Sequence, residues 1–258
     1  MNGRILTVFA AKGGCGKTTL ATNLAVVLNA GGARRVCLVD LDLAFGDVAS
    51  MLALEPAGSL VDAVTGDGGG RLDVAAVSSL VTPIGSNLDG VLTPVVPGDA
   101  ARVPVTLVEE LLAILPSIYD YAVVDTPAQF SANVLAALDN SHYHVLLTTP
   151  ERPALHNLRR TLDMLDMLSY SRASRSVVLN RCDSRVGLTT RDVERTIKAP
   201  IAGELPSSWD VSASINRGVP LAAAQPEHRY SQAVRRFVES HITTARFNTG
   251  TTETGRPW

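Results

Sequence analysis

Between an apolar run at residues 5–10 and a run of helical spacing at residues 18–29, the chain carries the loop AAKGGCGKTTL. No other stretch limits the fold as tightly. A buried strand that turns through glycines directly into a helix is the setting in which backbone holds phosphate. Gly13, Gly14 and Gly16 leave room for a phosphate and tolerate the positive φ that turns successive N–H groups inward. The helix opening near Lys17 adds unpaired N–H groups and the positive end of its dipole. Lys17 offers a cation to the β- and γ-phosphates, and Thr18 offers a hydroxyl to Mg²⁺. Cys15 holds the variable position as a small filler rather than a nucleophile. With Thr19 it completes the expected nucleotide-binding run, residues 13–19.

The general phosphate-loop pattern is G-x-x-x-x-G-K-[ST]. Its first glycine would fall at Ala11, and a second lysine, Lys12, stands before the glycine pair instead. A second motif lies at the end of the next apolar strand, where LVDLDLAFGD places Asp40 and Asp42. Ligands of open α/β sheets sit at that carboxyl edge, so both carboxylates can approach a γ-phosphate. Far downstream, YDYAVVDTPAQF puts Asp125 at the end of another buried strand, suited to hold Mg²⁺ through a water.

Together, KGGCGKTT, D-x-D and D-T-P resemble the deviant Walker A P-loop ATPases of the ParA/MinD family, and the likeness runs from Arg4 to about Val238. The resemblance implies a SIMIBI-type P-loop fold, ATP and ADP with Mg²⁺ as cofactors, and ATP hydrolysis. It gives Lys12, Lys17 and Asp40 the catalytic roles, with Asp40 positioning the attacking water. It gives Thr18, Asp42 and Asp125 to the metal. An Asn at the end of a later strand reads adenine in this family; here it is Asn180, beside Arg181, with Pro206 and Ser207 as further base contacts. The working cycle implied is an ATP-dependent homodimer in which Lys12 reaches the partner's phosphates. The family's D-T-P is commonly followed by Pro-Gly, where this chain has Ala128-Gln129.

Within the family, LVDLDLAFGDVA, VVDTPAQFSANVLAALDNS, LLTTPERPALHNLRRTLDML and VVLNRCD resemble the TadZ/CpaE-like branch, linked to Flp (tight-adherence) pilus assembly. The partner expected is then a protein at a cell pole or pilus base. The alternatives are a MinD-like regulator at a division site on the membrane, and a ParA-like partitioning ATPase on nonspecific DNA. A binding module without turnover is disfavoured by the presence of Lys12, Lys17, Asp40 and Asp125. The iron proteins that share the loop need cluster-bridging cysteines, and Cys37 and Cys182 are not placed for that.

The rest of the chain reads as one α/β domain, residues 1–246, with a mostly parallel twisted sheet and helices on both faces. Near-continuous apolar strands suit a sheet buried on both sides. Strands are expected at 4–10, 35–39, 88–96, 121–124, 143–148, 176–179 and 201–205. Helices are expected at 18–29, 45–54, 71–81, 106–115, 130–138, 154–168, 189–198, 211–216 and 230–243, with one further turn at 59–64. Leu155, Leu158, Leu162, Leu165 and Leu168 form one helical face, with Met164 and Met167 packed there or beside it. TGDGGG at 65–70 reads as a loop, and 247–258 as a polar, disordered tail.

The 46% hydrophobic content supports a sizeable core, and aromatics at 5% leave Ala, Val and Leu to fill it. Three scattered cysteines suggest reduced thiols and a cytoplasmic setting; recruitment to a pole or the inner membrane surface is what the resemblance implies. The chain begins without a signal peptide and contains no run of about 18 apolar residues. Charge is uneven: residues 1–150 carry 7 Lys+Arg against 14 Asp+Glu, residues 151–258 carry 16 against 11. The basic half is a solvated Arg-rich surface or a face for an acidic partner.

Overall fold

The computed structural model describes residues 3–65, 71–93, 98–183 and 187–244. In chain order the elements begin β1 (Arg4–Phe9), α1 (Lys17–Asn29), β2 (Val36–Asp40), α2 (Val48–Met51), α3 (Leu60–Thr65) and α4 (Val74–Leu80). An edge hairpin, β3 (Thr82–Gly85) and β4 (Leu88–Val91), leads to α5 (Val105–Ile118), β5 (Tyr121–Asp125), α6 (Ala132–Asp139) and β6 (Tyr143–Thr148). Then come α7 (Arg152–Met167), β7 (Arg175–Asn180), α8 (Thr190–Ile197), β8 (Ile201–Leu205), α9 (Trp209–Asn216), α10 (Leu221–Ala224) and α11 (Arg229–Phe237). A π-helical turn, Val238–Thr243, extends the last helix.

The eight strands form one sheet in the order β3-β4-β2-β5-β1-β6-β7-β8. Every pairing is parallel except β3 with β4. Alternation along the strands sends each face into its own core. Leu6, Val8, Leu38 and Val123 pack under α1, α10 and α11. Ile5, Cys37, Val39 and Val124 pack against α3, α4 and α5 on the other face. Phe9, Leu146, Val177 and Leu179 meet α6, α7 and α8 there. Fully burying one such Leu or Val is worth about 1.5–3 kcal/mol.

The expected fold class holds, and several boundaries do not. The helix expected at 45–54 shrinks to α2, because Asp40 captures the backbone ahead of it. The strand expected at 88–96 stops at Val91, and its antiparallel partner β3, with Pro83 inside it, carried no strand signal. Pro116, read as ending a helix, lies inside the last turn of α5, two residues before its end. Along α7, Leu155, Leu158, Leu162 and Leu165 are buried as expected, but Leu168 is 45% exposed and Met167 77% exposed. The glycine loop at 66–70 and the tail at 247–258 lie outside the described residues.

Candidate nucleotide site

β1 ends at the middle of the sheet, between β5 and β6, and the loop that follows sits at the sheet's carboxyl edge. Gly14 and Gly16 have φ of 75° and 94°, the left-handed conformation expected of a loop that turns its N–H groups inward. A Cβ added at Gly13 or Gly14 would meet nothing within 4 Å, so the cradle is open. Gly16 caps α1 without a side chain, leaving the first N–H groups of that helix unshielded.

β2 and β5 lie side by side with Asp40 opposite Asp125, and both carboxylates are buried. Their side chains share the parity of Leu38 and Val123, so they leave the sheet on the α1 side. Asp125 accepts a hydrogen bond from the Thr18 side chain, yet its Oδ1 is buried and has no partner among the described residues. Burial pushes the Asp125 carboxyl up to about 6, against the pull of Thr18 and Lys17. An orphaned carboxylate oxygen beside the Thr18 hydroxyl offers the oxygen ligands a hard cation takes, so these two residues fit Mg²⁺, while the Lys17 cation nearby suits a phosphate.

Asp40 is committed differently. Its Oδ1 accepts from the Asp42 N–H at 3.0 Å. Its Oδ2 accepts from the Val48 N–H at 3.2 Å and the Thr93 hydroxyl at 3.3 Å. Burial first, and neighbouring Asp125 second, push the Asp40 carboxyl up to about 8. Asp42 is half-buried, and among the described residues its Oδ1 receives only the Phe45 N–H, at 3.3 Å.

The lip of the loop carries Lys12, 39% exposed and 3.7 Å from Glu151. Glu151 in turn accepts a short hydrogen bond from Thr149. The Cys15 thiol is buried, and burial raises its pKa, which agrees with a packing role. Asn180 is tied to the loop by half of its amide's hydrogen-bonding capacity. Its Nδ2 donates to the Cys15 carbonyl at 2.8 Å, and its Oδ1 accepts from the Arg181 N–H at 3.0 Å. Arg181 reaches the Gly14 carbonyl at 3.3 Å. Beyond them a cavity of about 740 Å³ runs past Thr19, Asn180, Pro206 and Ser207 to Trp209. Sequence reasoning missed Glu151 and Thr93. Glu151 stands within a stretch, LLTTPERPALHNLRRTLDML, read for its resemblance alone, and nothing in the sequence signals Thr93.

An open glycine cradle at a helix N-terminus, a buried acidic pair at adjacent strand ends and a base-sized cavity define a P-loop nucleotide-binding protein. Residues 6–221 match the CobQ/CobB/MinD/ParA nucleotide-binding domain, and the chain belongs to that family of ATPases. It is 28% identical over 231 residues to the septum site-determining protein MinD of Thermotoga maritima, covering 85% of this chain and 81% of that protein. Its fold is similar to a ParA family ATPase from Chlorobium tepidum TLS, with TM-score 0.84, 25% identity, and 92% and 99% of the two chains covered. It is also similar to the MinD of Pyrococcus horikoshii OT3, solved in complex with Mg-ADP. There the TM-score is 0.81 at 22% identity, with 95% and 98% covered.

Proposed function

We propose that this chain is an ATP-hydrolysing dimerisation switch that positions a cellular machine, of the division-site kind. The named relatives favour that reading over pilus assembly, which rests on the quoted sequence stretches alone. Thr18 and Asp125 would hold Mg²⁺, which neutralises charge on the β- and γ-phosphates when bound. Lys17 and the N–H groups of residues 13–19 cradle the phosphates. Asp40 anchors the loop that follows β2, because its oxygens are taken by Asp42, Val48 and Thr93. Water positioning then falls to Asp42, the half-exposed carboxylate of the pair, in place of the metal role the motif implies for it.

Lys12 carries the switch reading. It stands at the exposed lip, where among the described residues its one ion pair is the half-exposed contact with Glu151. Such a pair is worth about 0–1 kcal/mol and is readily exchanged. A facing protomer's γ-phosphate is a stronger partner for the same cation, which there stabilises charge spreading in the transition state. Attachment to a membrane gains no support from α11. Tyr230, Ala233, Val234 and Phe237 of that helix are buried in the core, as ordinary packing predicts.

The test is molar mass by light scattering with Mg-ATP, with Mg-ADP and without nucleotide. Wild type is expected to dimerise only with Mg-ATP, Asp42→Ala to form a persistent dimer, and Lys12→Ala to stay monomeric. A mass that ignores nucleotide in all three proteins sinks the switch.

A further inference from the structure

Three residues past Asn180 stands Asp183, which no part of the phosphate chemistry uses. Its Oδ1 accepts from the Ser207 N–H at 2.6 Å, and its Oδ2 accepts from Arg229 Nη2 at 2.9 Å. The same Arg229 nitrogen donates to the Ser207 carbonyl. Both backbone polar groups of Ser207 are therefore taken, one by each member of an ion pair. As a surface pair alone, 38% and 60% exposed, Asp183 and Arg229 would contribute little. Closed into a ring on one residue's backbone, they fix a loop.

The loop so fixed is the wall of the nucleotide cavity. Pro206, Ser207, Ser208 and Trp209 line it, with Asn180 and Arg181 opposite. The Asn180 amide spends one N–H on the Cys15 carbonyl and one lone pair on the Arg181 N–H, which leaves a single donor and a single acceptor for a base. The loop after β7 thus grips the phosphate cradle at Gly14 and Cys15 and, through Asp183, the wall at Ser207. Ser208 is fastened separately: its hydroxyl accepts from the Asp210 N–H at 3.1 Å and lies 3.3 Å from His228 Nε2. A wall held at two consecutive residues is ordered before a base arrives, so less freedom is lost on binding.

We propose that Asp183, with Arg229, is the positioning clamp of the base-binding wall at residues 206–208, and so a determinant of base specificity. The proposal rests on the reading of this site as a nucleotide site. Neither residue touches the phosphates. The clamp acts on the base end alone, and losing it loosens the wall without disturbing the cradle.

The experiment titrates Mg-ATP, Mg-GTP and Mg-tripolyphosphate, which has no base, into wild type, Asp183→Ala and Asp183→Asn by calorimetry. Wild type is expected to prefer ATP over both other ligands. Asp183→Ala is expected to weaken ATP about tenfold, the scale of one lost hydrogen bond to a charged group, and to narrow the preference over GTP. Tripolyphosphate affinity stays within about twofold, since only the cradle binds it. Asp183→Asn keeps an acceptor for the Ser207 N–H but loses the charge facing Arg229, and falls between. ATP affinity unchanged in Asp183→Ala overturns the clamp, as does equal weakening of ATP and tripolyphosphate. A wild type without preference for ATP over GTP overturns the specificity role. A wild type that binds ATP no better than tripolyphosphate removes the base site itself and the clamp with it.

Discussion

At Gly16 two constraints meet on one residue. Its φ is 94°, and a Cβ there would lie 2.7 Å from Asn180 Nδ2. An L side chain in that backbone region costs about 1–3 kcal/mol, and the clash adds to it by pushing Asn180 off the Cys15 carbonyl. Gly16→Ala is expected to weaken Mg-ADP binding at least about tenfold, with the far-ultraviolet circular dichroism unchanged. Binding within twofold of wild type would remove Gly16 from the cradle. Asp40 and Asp125 give a second expectation, for the nucleotide-free and metal-free protein. Both folded-state pKa values, about 8 and about 6, lie above the usual carboxylate value of 3.8. The folded protein therefore binds more protons than the unfolded chain across that window. The stability they contribute is fully present below about pH 4 and is lost as pH rises through 6 and then 8. His142 and His144, whose pKa values burial lowers, act in the opposite sense below about pH 6.5, and do so equally in a carboxylate variant. Urea midpoints at pH 5.5 and 8.5 should thus show Asp40→Asn gaining on wild type as pH rises; parallel profiles would refute this.

Among the elements, the segment between β2 and α2 shows how far sequence reading reaches. Asp40 was legible as a site residue because an acidic pair ends an apolar strand. Its actual partners were not. The helix expected at 45–54 starts only at Val48, because the Asp40 carboxylate takes the Asp42 and Val48 N–H groups and holds the intervening residues off the helix. That competition comes from tertiary structure and leaves no trace in periodicity. β6 and β8, by contrast, fall where expected, because each is a compact apolar or small-residue run between polar or proline boundaries. β3 was invisible for the converse reason: Pro83 and Gly85 lack strand propensity, and the hairpin depends on pairing with β4. Asn180 was legible in place, but its hold on the Cys15 carbonyl was not, since only the fold brings that carbonyl to its amide. The segment also makes a prediction. A Cβ on Gly46 would collide with Asp40 Oδ2 and with Thr93. Gly46→Ala is expected to cut ATP hydrolysis at least about tenfold, while Mg-ADP affinity stays within about threefold, because the cradle is not touched. Hydrolysis at the wild-type rate would show that the Asp40 anchor is dispensable.

Over the whole molecule, nucleotide binding and folding are one equilibrium. The site draws on the ends of β1, β2, β5, β7 and β8, so an unfolded chain has none of it. A ligand at a hundred times its Kd stabilises by about 2.7 kcal/mol, which for a chain of this size raises Tm by about 5–10 °C. Mg-ADP should produce that rise in differential scanning calorimetry, and Asp125→Ala should reduce it in Mg²⁺ but not in EDTA. An equal rise for both proteins in Mg²⁺ would take Asp125 out of the metal set. The order of the strands has a consequence for how this protein is made. β1 leaves the ribosome first, yet its neighbours are β5, where Arg4 meets Tyr121, and β6, where Leu6 meets Tyr143. At about 5–20 residues per second, the central strand waits roughly 6–25 s for its first partner to be synthesised. Through that interval β2, β4 and β3 can already pair with one another, but the apolar residues of β1 have no neighbouring strand, so the stretch that defines the finished protein is also the one that waits longest for its place in the sheet.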